Sequence, residues 1–336
     1  MMAINIPEQA TLPRFDMPFP SMGCNARMSE AAVAMWQWTD RFGLCPTPEI
    51  HEQIRQARPE LWASLIYPTA ELADLTLFCE WTVWSFVVDD MFDDGPQGRD
   101  PARCEEVIVR LIAVIDGKTT PAGPLEYALS DLWHRICSNR SSGWTKVFRR
   151  DTSGWLWTYY TEAADRAAGH VPEVDEFMHH RRDAIAMRGF LDLYEIPAQL
   201  DLPEAVRNLS GFIALRNAAT DHIALYNDIC STQKEQEVGY YHNSVCLIQH
   251  HRGCSLQEAF EVANDMLAVY IERIQKAERQ LTSQLKSIGA GSEVVANVEQ
   301  CVHDYRMLVR GDFDYHLRAE RYQTSRHDAL PSHSRA

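Results

Sequence analysis

The sequence predicts an all-α protein, built as a single-domain α-helical bundle. Three observations predict it: apolar residues recur at helical spacing, alternating strand patterns are nearly absent, and several helices are apolar on most faces. Helices such as Leu72–Val88 and Asn208–Leu225 are therefore expected inside one large bundle rather than in two small domains. We expect one domain over residues 1–324 and a polar, disordered tail over residues 325–336.

Turn-forming residues separate the predicted helices. Asp94-Gly95-Pro96 ends the third helix, Thr119–Pro124 precedes the fifth, and Gly289–Ser292 precedes the last. In chain order, the predicted helices are Met28–Phe42, Glu49–Ala57, Ala70–Asp93, Cys104–Ile115, Leu125–Ser138, Trp144–Ala168, Val174–Leu193, Leu202–Ala218, Thr220–Glu237, Ser244–Gln249, Ser255–Leu285 and Glu293–Arg321.

The composition is that of a folded, acidic protein. Hydrophobic residues make up 46% of the 336 and charged residues 24%, which excludes a disordered chain. Lysine and arginine number 32 against 47 acids, and the formal net charge is −15. Such a chain repels nucleic acid and anionic membrane surfaces. An anionic substrate would therefore need cations supplied locally, by side chains or by metal ions.

Targeting signals and a disulfide framework are not evident. No stretch approaches the roughly 18 uncharged apolar residues that span a bilayer, and Met1 to Phe19 lacks the pattern of a secretory signal. The nine cysteines are scattered and include no Cys-x-x-Cys pair, as is typical of reduced thiols in a cytosolic protein. We expect a cytoplasmic protein that binds neither membrane nor nucleic acid.

A first acidic cluster ends the apolar third helix. Asp89 and Asp93 are four residues apart and share one helix face, and Phe86 lies on that face one turn earlier. Carboxylates at a helix C-terminus repel one another and oppose the helix macrodipole, so the arrangement is destabilising unless cations are close. A solvated acidic helix end is the alternative. The apolar helix that precedes the cluster favours a position at a cavity.

A second cluster forms an oxygen-bearing stripe on another helix. Asn227, Ser231 and Glu235 lie four residues apart, and their amide, hydroxyl and carboxylate oxygens are hard ligands suited to Mg²⁺. A polar outer helix face is the alternative. Considered together, the two clusters each offer half of a coordination sphere. If they face each other, they can hold several Mg²⁺ ions and present a diphosphate-binding surface.

With these clusters the chain resembles the bacterial class I terpene synthases. The aspartate-rich motif is Asp89-Asp90-Met91-Phe92-Asp93, Asn227–Glu235 matches the family's ND-x-x-S-x-x-KE, and Arg321-Tyr322 matches its closing RY pair. The three motifs occur in the family's order, and the resemblance covers nearly the whole chain. It implies a helical bundle around a deep apolar pocket, with three Mg²⁺ ions at its mouth and Mn²⁺ as an alternative. It also implies an isoprenoid diphosphate substrate, and homodimers are common among relatives.

The resemblance implies roles for individual residues. The implied metal ligands are Asp89, Asp93, Asn227, Ser231 and Glu235, with Asp90 behind them. The implied catalytic contacts to diphosphate are Arg181, Lys234, Arg321 and Tyr322. Arg182 is the alternative to Arg181 as the diphosphate-sensing arginine. Phe86 is the aromatic side chain expected in the substrate pocket, with Trp81, Phe190 or Tyr226 as further candidates.

Two departures from the family pattern bear on the substrate. Leu308 stands where the family commonly has tryptophan, and a second family tryptophan falls near Tyr315. Val87 and Val88 stand where aromatic residues are frequent. A larger pocket would suit a C20 chain, whose five additional carbons contribute about 4 kcal/mol at ~0.8 kcal/mol per buried carbon. We expect farnesyl diphosphate to be converted to a sesquiterpene. A diterpene synthase that uses geranylgeranyl diphosphate is the alternative.

Two other classes of function compete with this interpretation. A prenyl-elongating transferase would carry a second aspartate-rich motif in place of Asn227–Glu235. A non-catalytic helical binding protein would carry both acidic clusters as surface features. A metal phosphohydrolase built on His179, His180 or His222 lacks the His-Asp order that such a site needs.

Overall fold

The structure is a computed structural model that describes residues 10–93, 95–238 and 242–319, without the side chains of Lys234, Glu237 and Val238. These residues form helices and contain no strand, so the prediction of an all-α fold is confirmed. The α-helices are α1 Met28–Phe42, α2 Pro48–Ala57, α3 Pro59–Ile66, α4 Leu72–Asp93, α5 Pro101–Ile115, α6 Pro124–Cys137, α7 Ser142–Ala168, α8 Val174–Ala184, α9 Met187–Leu193, α10 Glu204–Arg207, α11 Ser210–Val238, α12 Ser244–Arg252, α13 Leu256–Ser287 and α14 Ser292–His316. Gln97–Arg99 form a short 3-10 helix.

Local side-chain contacts explain where several helices begin. Ser255 and Glu258 form a reciprocal capping box at the start of α13. Asn243 caps α12 by accepting hydrogen bonds from the backbone N–H groups of Val245 and Cys246. The side chain of Asn243 is thereby held beside α11, where it takes part in the site described below.

Helix α3 was not among the predicted helices. It has only eight residues, begins at Pro59 and is buried almost throughout, so it shows no amphipathic pattern. Gly311 of α14 packs directly against it: a Cβ atom at Gly311 would lie 2.6 Å from the carbonyl carbon of Leu65 and 2.9 Å from Cα of Ile66. The two helices therefore approach more closely than any larger residue at position 311 allows.

Other predicted helix boundaries were also wrong. Residues 202–218 are not one helix, because α10 ends at Arg207 and α11 begins only at Ser210. Residues 174–193 form two helices, because the chain breaks at Ala186, whose φ of 63° is left-handed. Conversely, the predicted break at 219 does not exist: α11 runs unbroken through Ala219, which is buried and offers no helix-breaking feature. The final helix ends at His316, and Arg321 and Tyr322 lie outside the described residues.

Helix α11 is the central element of the bundle. It packs most extensively against α13 and also contacts α14, α8, α9 and α12, while α4 packs on α1 and α3. The interior is rich in aromatic rings, including the stacked pair Trp81 and Trp84. None of the helices within the described ranges is long and apolar enough to cross a membrane. This packing leaves a cavity between α4, α11 and the last turn of α14.

Candidate active site

One cavity collects the residues that the two sequence motifs pointed to. It contains about 990 Å³ of empty space, including the part open to solvent. We call its polar end the mouth, formed by Asp89, Asp93, Asn227, Ser231 and Glu235. We call its apolar end the floor, formed by Trp62, Phe86, Trp155, Met187, Phe190 and Ile223. Arg181, Tyr315 and His316 also line it.

Helix α4 supplies one wall of the mouth. Asp89 and Asp93 line the cavity one turn apart, and Phe86 lines it one turn earlier, as the helical spacing predicted. The hydroxyl of Tyr159 donates a hydrogen bond to Oδ1 of Asp89 at 2.8 Å, and Nε1 of Trp155 donates to the Tyr159 oxygen at 3.1 Å. The Asp89 carboxylate is therefore oriented from behind by two side chains of α7.

The environment of Asp93 favours a cation. Burial, followed by the negative charges of Asp89, Glu162 and Glu235, raises the pKa of Asp93 well above its ordinary value. Its Oδ1 atom is buried and has no hydrogen-bond partner within the part of the chain that the structure describes. The influence of Glu235 also means that the carboxylates of the two motifs lie close together across the mouth. A divalent ion would relieve this repulsion.

Helix α11 supplies the facing wall. Ile223, Asn227, Ser231 and Glu235 line the cavity at every fourth position, so this stripe also changes from apolar to polar along the chain. Ser231 Oγ donates to the backbone oxygen of Asn227 at 2.9 Å. Glu235 accepts a hydrogen bond from Nδ2 of Asn243 at 2.8 Å, and burial, with the charge of Asp228, raises the pKa of Glu235 to about 7. The side chain of Lys234 lies outside the described atoms.

The two neighbouring arginines of α8 have different partners. Arg181 lines the cavity, and it donates from Nη2 to Asn227 Oδ1 and from Nε to Asp228 Oδ1, both at 2.9 Å. Arg182 makes a bidentate ion pair with Asp221, at 2.6 and 2.9 Å, and does not line the cavity. Of the two, only Arg181 is placed where it can contact an anion at the mouth.

The floor is largely aromatic. The rings of Trp62 and Phe190 meet edge to face with centroids 4.6 Å apart. Such a surface excludes water, and aromatic faces attract cations. Of the pocket residues that the sequence suggested, Phe86 and Phe190 line this cavity.

Other residues singled out in the sequence lie elsewhere. Leu308, Trp81, Tyr226 and Val88 are buried in the core, and neither they nor Val87 line the cavity. Asp90 is half-buried and is also absent from its lining. Loss of aromatic bulk at positions 308, 87 and 88 therefore does not enlarge this cavity directly.

The side chains at the mouth offer suitable donors for a hard divalent ion, but they do not complete its coordination by themselves. All ligands offered by the mouth are oxygen atoms, which favours Mg²⁺ or Mn²⁺ over zinc. Within the described ranges, no three His, Cys, Asp or Glu side chains are grouped closely enough to hold a metal ion by themselves. An ion at the mouth would therefore use the Asn227 and Ser231 oxygens, water and oxygens of a bound anion as well.

Several lining residues were not found from the sequence. Trp62 belongs to the unpredicted helix α3, and His316 ends the last described helix. Tyr159 does not line the cavity but contacts Asp89, and it follows the lining residue Trp155 by four residues within a predicted helix. That spacing is the one signal that could have drawn attention to these two residues. Nothing local in the sequence relates His316 or Trp62 to the motifs.

Similar proteins agree with this geometry. The family model described as terpene synthase family 2, C-terminal metal binding, matches residues 80–273. A (2Z,6E)-hedycaryol synthase from Kitasatospora setae is 31% identical over 313 residues, which cover 93% of this chain and 92% of that protein. A (+)-T-muurolol synthase ((2E,6E)-farnesyl diphosphate cyclizing) from Roseiflexus castenholzii is 32% identical over 233 residues, covering 69% and 71%. A solved hedycaryol synthase in complex with HEPES superimposes with a TM-score of 0.83 at 28% identity, over 92% of this chain and 99% of that one.

Proposed function

Because the chain belongs to terpene synthase family 2, as its sequence motifs indicated, we propose that it ionises farnesyl diphosphate and cyclises the carbocation to a sesquiterpene. The observation that carries the proposal is the convergence of two oxygen-bearing helix faces on the mouth of one cavity with an aromatic floor. The mouth suits the diphosphate and its counter-ions. The floor suits the hydrocarbon chain.

We propose that Asp89 and Asp93 hold metal on one wall, and Asn227, Ser231 and Glu235 on the other. Three Mg²⁺ ions are expected, with Mn²⁺ as an alternative. When bound, the ions neutralise the charge that develops on the departing diphosphate. The unpartnered Oδ1 of Asp93 within the described ranges and the crowded carboxylates support this assignment.

The protein's own cations would hold the other side of the diphosphate. Arg181 already points its guanidinium at the mouth, where charged hydrogen bonds to phosphate oxygens are strong. We further propose Lys234, Arg321 and Tyr322 as diphosphate contacts on the strength of the sequence motifs. When the allylic C–O bond breaks, its electron pair leaves with diphosphate and the positive charge remains on the hydrocarbon.

The floor would then control the carbocation. Trp62, Trp155 and Phe190 present aromatic surfaces and exclude the water that would quench the cation. The route ends when the cation loses a proton, which gives a hydrocarbon, or captures water, which gives an alcohol. Product analysis distinguishes these two endings.

A C15 substrate is favoured over a C20 substrate. Of the positions that had suggested additional room for geranylgeranyl diphosphate, 308, 87 and 88 do not line the cavity. The remaining one, near Tyr315, carries an aromatic side chain that does line it. The relatives named above include one that cyclises (2E,6E)-farnesyl diphosphate. A prenyl-elongating transferase is disfavoured because Asn227 and Ser231 stand where it would carry carboxylates.

The test incubates purified protein with C10, C15 and C20 isoprenoid diphosphates, in Mg²⁺ or in EDTA, and identifies products by gas chromatography with mass spectrometry. We expect a metal-dependent C15 product. Asn227→Ala should abolish it in a folded protein, whereas Asn217→Ala should not. Asn217 is a matched control, because it lies on the same helix and also accepts a hydrogen bond from an arginine, Arg188. No metal-dependent product from any substrate would refute the proposal.

We also propose that the protein is cytoplasmic, which its scattered free cysteines support, and that it forms a homodimer, which rests on the resemblance to the family alone. Light scattering coupled to size-exclusion chromatography measures the mass in solution. A mass equal to one 38.4 kDa chain at micromolar concentration would contradict the dimer.

A further inference from the structure

The amide group of Asn227 is held from two sides, and we infer that His316 is a positioning residue that turns the Asn227 oxygen toward the mouth. The inference rests on the proposed function, because it assumes that Asn227 serves as a metal ligand. It adds His316, which lies on α14, 89 positions after Asn227 in the chain. His316 belongs to none of the sequence motifs.

The hydrogen-bonding roles at His316 follow from its neighbours. Its Nε2 atom lies 3.2 Å from Nδ2 of Asn227, and an amide nitrogen can only donate. Nε2 must therefore accept, which leaves the ring proton on Nδ1. Nδ1 lies 2.9 Å from the backbone oxygen of Asp312, which can accept that proton. The neutral Nδ1–H tautomer satisfies both contacts.

The other side of the amide is equally defined. Nη2 of Arg181 lies 2.9 Å from Oδ1 of Asn227, and a guanidinium can only donate. If the amide rotated by 180°, its NH₂ group would face the Arg181 donor, and its oxygen would face a ring nitrogen that carries no proton. Both contacts would be lost at once. The acceptor on His316 and the donor on Arg181 thus select one orientation.

The His316 ring is itself fixed independently of metal or substrate. Its side chain is only 1% exposed, and it lies one turn after Asp312, whose Oδ1 accepts a hydrogen bond from Nε1 of Trp62 at 2.9 Å. Trp62 belongs to α3 and lines the floor. A chain of contacts therefore runs from the floor through α14 to the ligand on α11.

The orientation matters because an amide is asymmetric. Its oxygen can bind a hard cation, and its nitrogen cannot. A carboxylate offers two equivalent oxygens, so an aspartate at position 227 would need no such selection. Replacing Asn227 by Asp should therefore make the metal site insensitive to the loss of the His316 acceptor.

The test measures equilibrium binding of inorganic diphosphate by calorimetry over a series of Mg²⁺ concentrations, which does not depend on turnover. We expect His316→Phe to raise the Mg²⁺ concentration for half-maximal binding about tenfold, the usual effect of losing a partner of a metal ligand. His316→Gln keeps an acceptor and should restore most of the affinity.

His222→Phe is the matched control. His222 is a buried histidine on α11 that does not line the cavity. Its substitution by Phe should change the Mg²⁺ concentration for half-maximal binding by no more than about twofold. In an Asn227→Asp background, His316→Phe should likewise have an effect of about twofold or less. Thermal unfolding checks that each variant is folded.

Three results would overturn the inference: an unchanged Mg²⁺ requirement in His316→Phe, an equal loss with and without the Asn227→Asp substitution, or an equal loss in His222→Phe. If His316→Phe does not fold, His316→Leu, which also lacks an acceptor, gives the same comparison in the two backgrounds. Failure of the proposed function looks different, because the wild-type protein would then show neither Mg²⁺-dependent diphosphate binding nor product.

Discussion

The adjacent arginines 181 and 182 provide a prediction in which stability and catalysis separate. We expect Arg181→Lys and Arg182→Lys to destabilise the protein to a similar degree but to differ sharply in activity. Both side chains are partly buried, 15% and 20% exposed, and both pair with almost fully buried aspartates. Each makes two charged hydrogen bonds to helix α11.

The magnitudes follow from these contacts. Lysine keeps the charge but cannot reproduce the two-pronged geometry, so each variant should lose one charged hydrogen bond, worth about 1.5–3 kcal/mol of unfolding free energy. Arg181→Lys also withdraws a donor from the mouth. Removing a donor that faces a developing anion typically lowers kcat by about 10²–10³-fold. Arg182 faces Asp221, away from the cavity, so its variant should keep kcat within about threefold.

Urea denaturation measures stability, and release of diphosphate from farnesyl diphosphate measures kcat and KM. The two variants are controls for each other, because they share the substitution, the helix and the kind of partner. An equal loss of kcat in Arg182→Lys and Arg181→Lys, at equal stability, would refute the reasoning. Wild-type kcat in Arg181→Lys would refute it as well.

Three further predictions follow from the contacts described above. Tyr159→Phe removes the hydroxyl that donates to Asp89 and should raise the Mg²⁺ concentration for half-maximal turnover about tenfold. Burial raises the pKa of Asp304 to about 6, so ionising this carboxyl costs the wild-type protein stability as the pH rises from about 4 to 6. Asp304→Asn should therefore be more stable than the wild type at pH 8 by about 2–3 kcal/mol, measured by urea denaturation, and this difference should vanish below pH 4. Gly311→Ala should destabilise by about 1–3 kcal/mol because its Cβ meets the α3 backbone, whereas Gly154→Ala, on an exposed and open helix face, should gain about 0.5–1 kcal/mol in the same denaturation assay.

Each of these has an outcome that contradicts it. An unchanged Mg²⁺ requirement in Tyr159→Phe would mean that Asp89 does not need the hydroxyl. A pH-independent difference between wild type and Asp304→Asn would mean that this carboxyl titrates normally in the folded protein. Equal stability of the two alanine variants would mean that α14 can move away from α3 at no cost.

The sequence revealed the candidate ligands because their signal is local. Asp89 and Asp93, like Asn227, Ser231 and Glu235, repeat at helical spacing within a few turns, so their common face could be predicted without a structure. The first helix was also predicted at its observed bounds, since Gly43 ends it in a left-handed conformation.

What the sequence did not reveal depends on packing between distant segments. The floor residue Trp62 comes from α3, and His316, which also lines the cavity, comes from the end of α14. Only the tertiary fold brings them to α4 and α11. The break between α8 and α9 falls at Ala186, an alanine rather than the glycine or proline that marks most interruptions. Arg181 and Arg182 could be told apart only once their partners on α11 were known.

Because α11 is one continuous helix, the same element lines both the floor and the mouth of the cavity. Ile223 lines the part of the cavity proposed for the hydrocarbon, and Asn227, about 6 Å farther along the axis, is a proposed metal ligand at the mouth. Both positions belong to the same continuous helix, but they lie on successive turns. Substitutions confined to Ile223 and its neighbours on the floor should therefore change the carbon skeleton of the product without removing the groups proposed for ionisation.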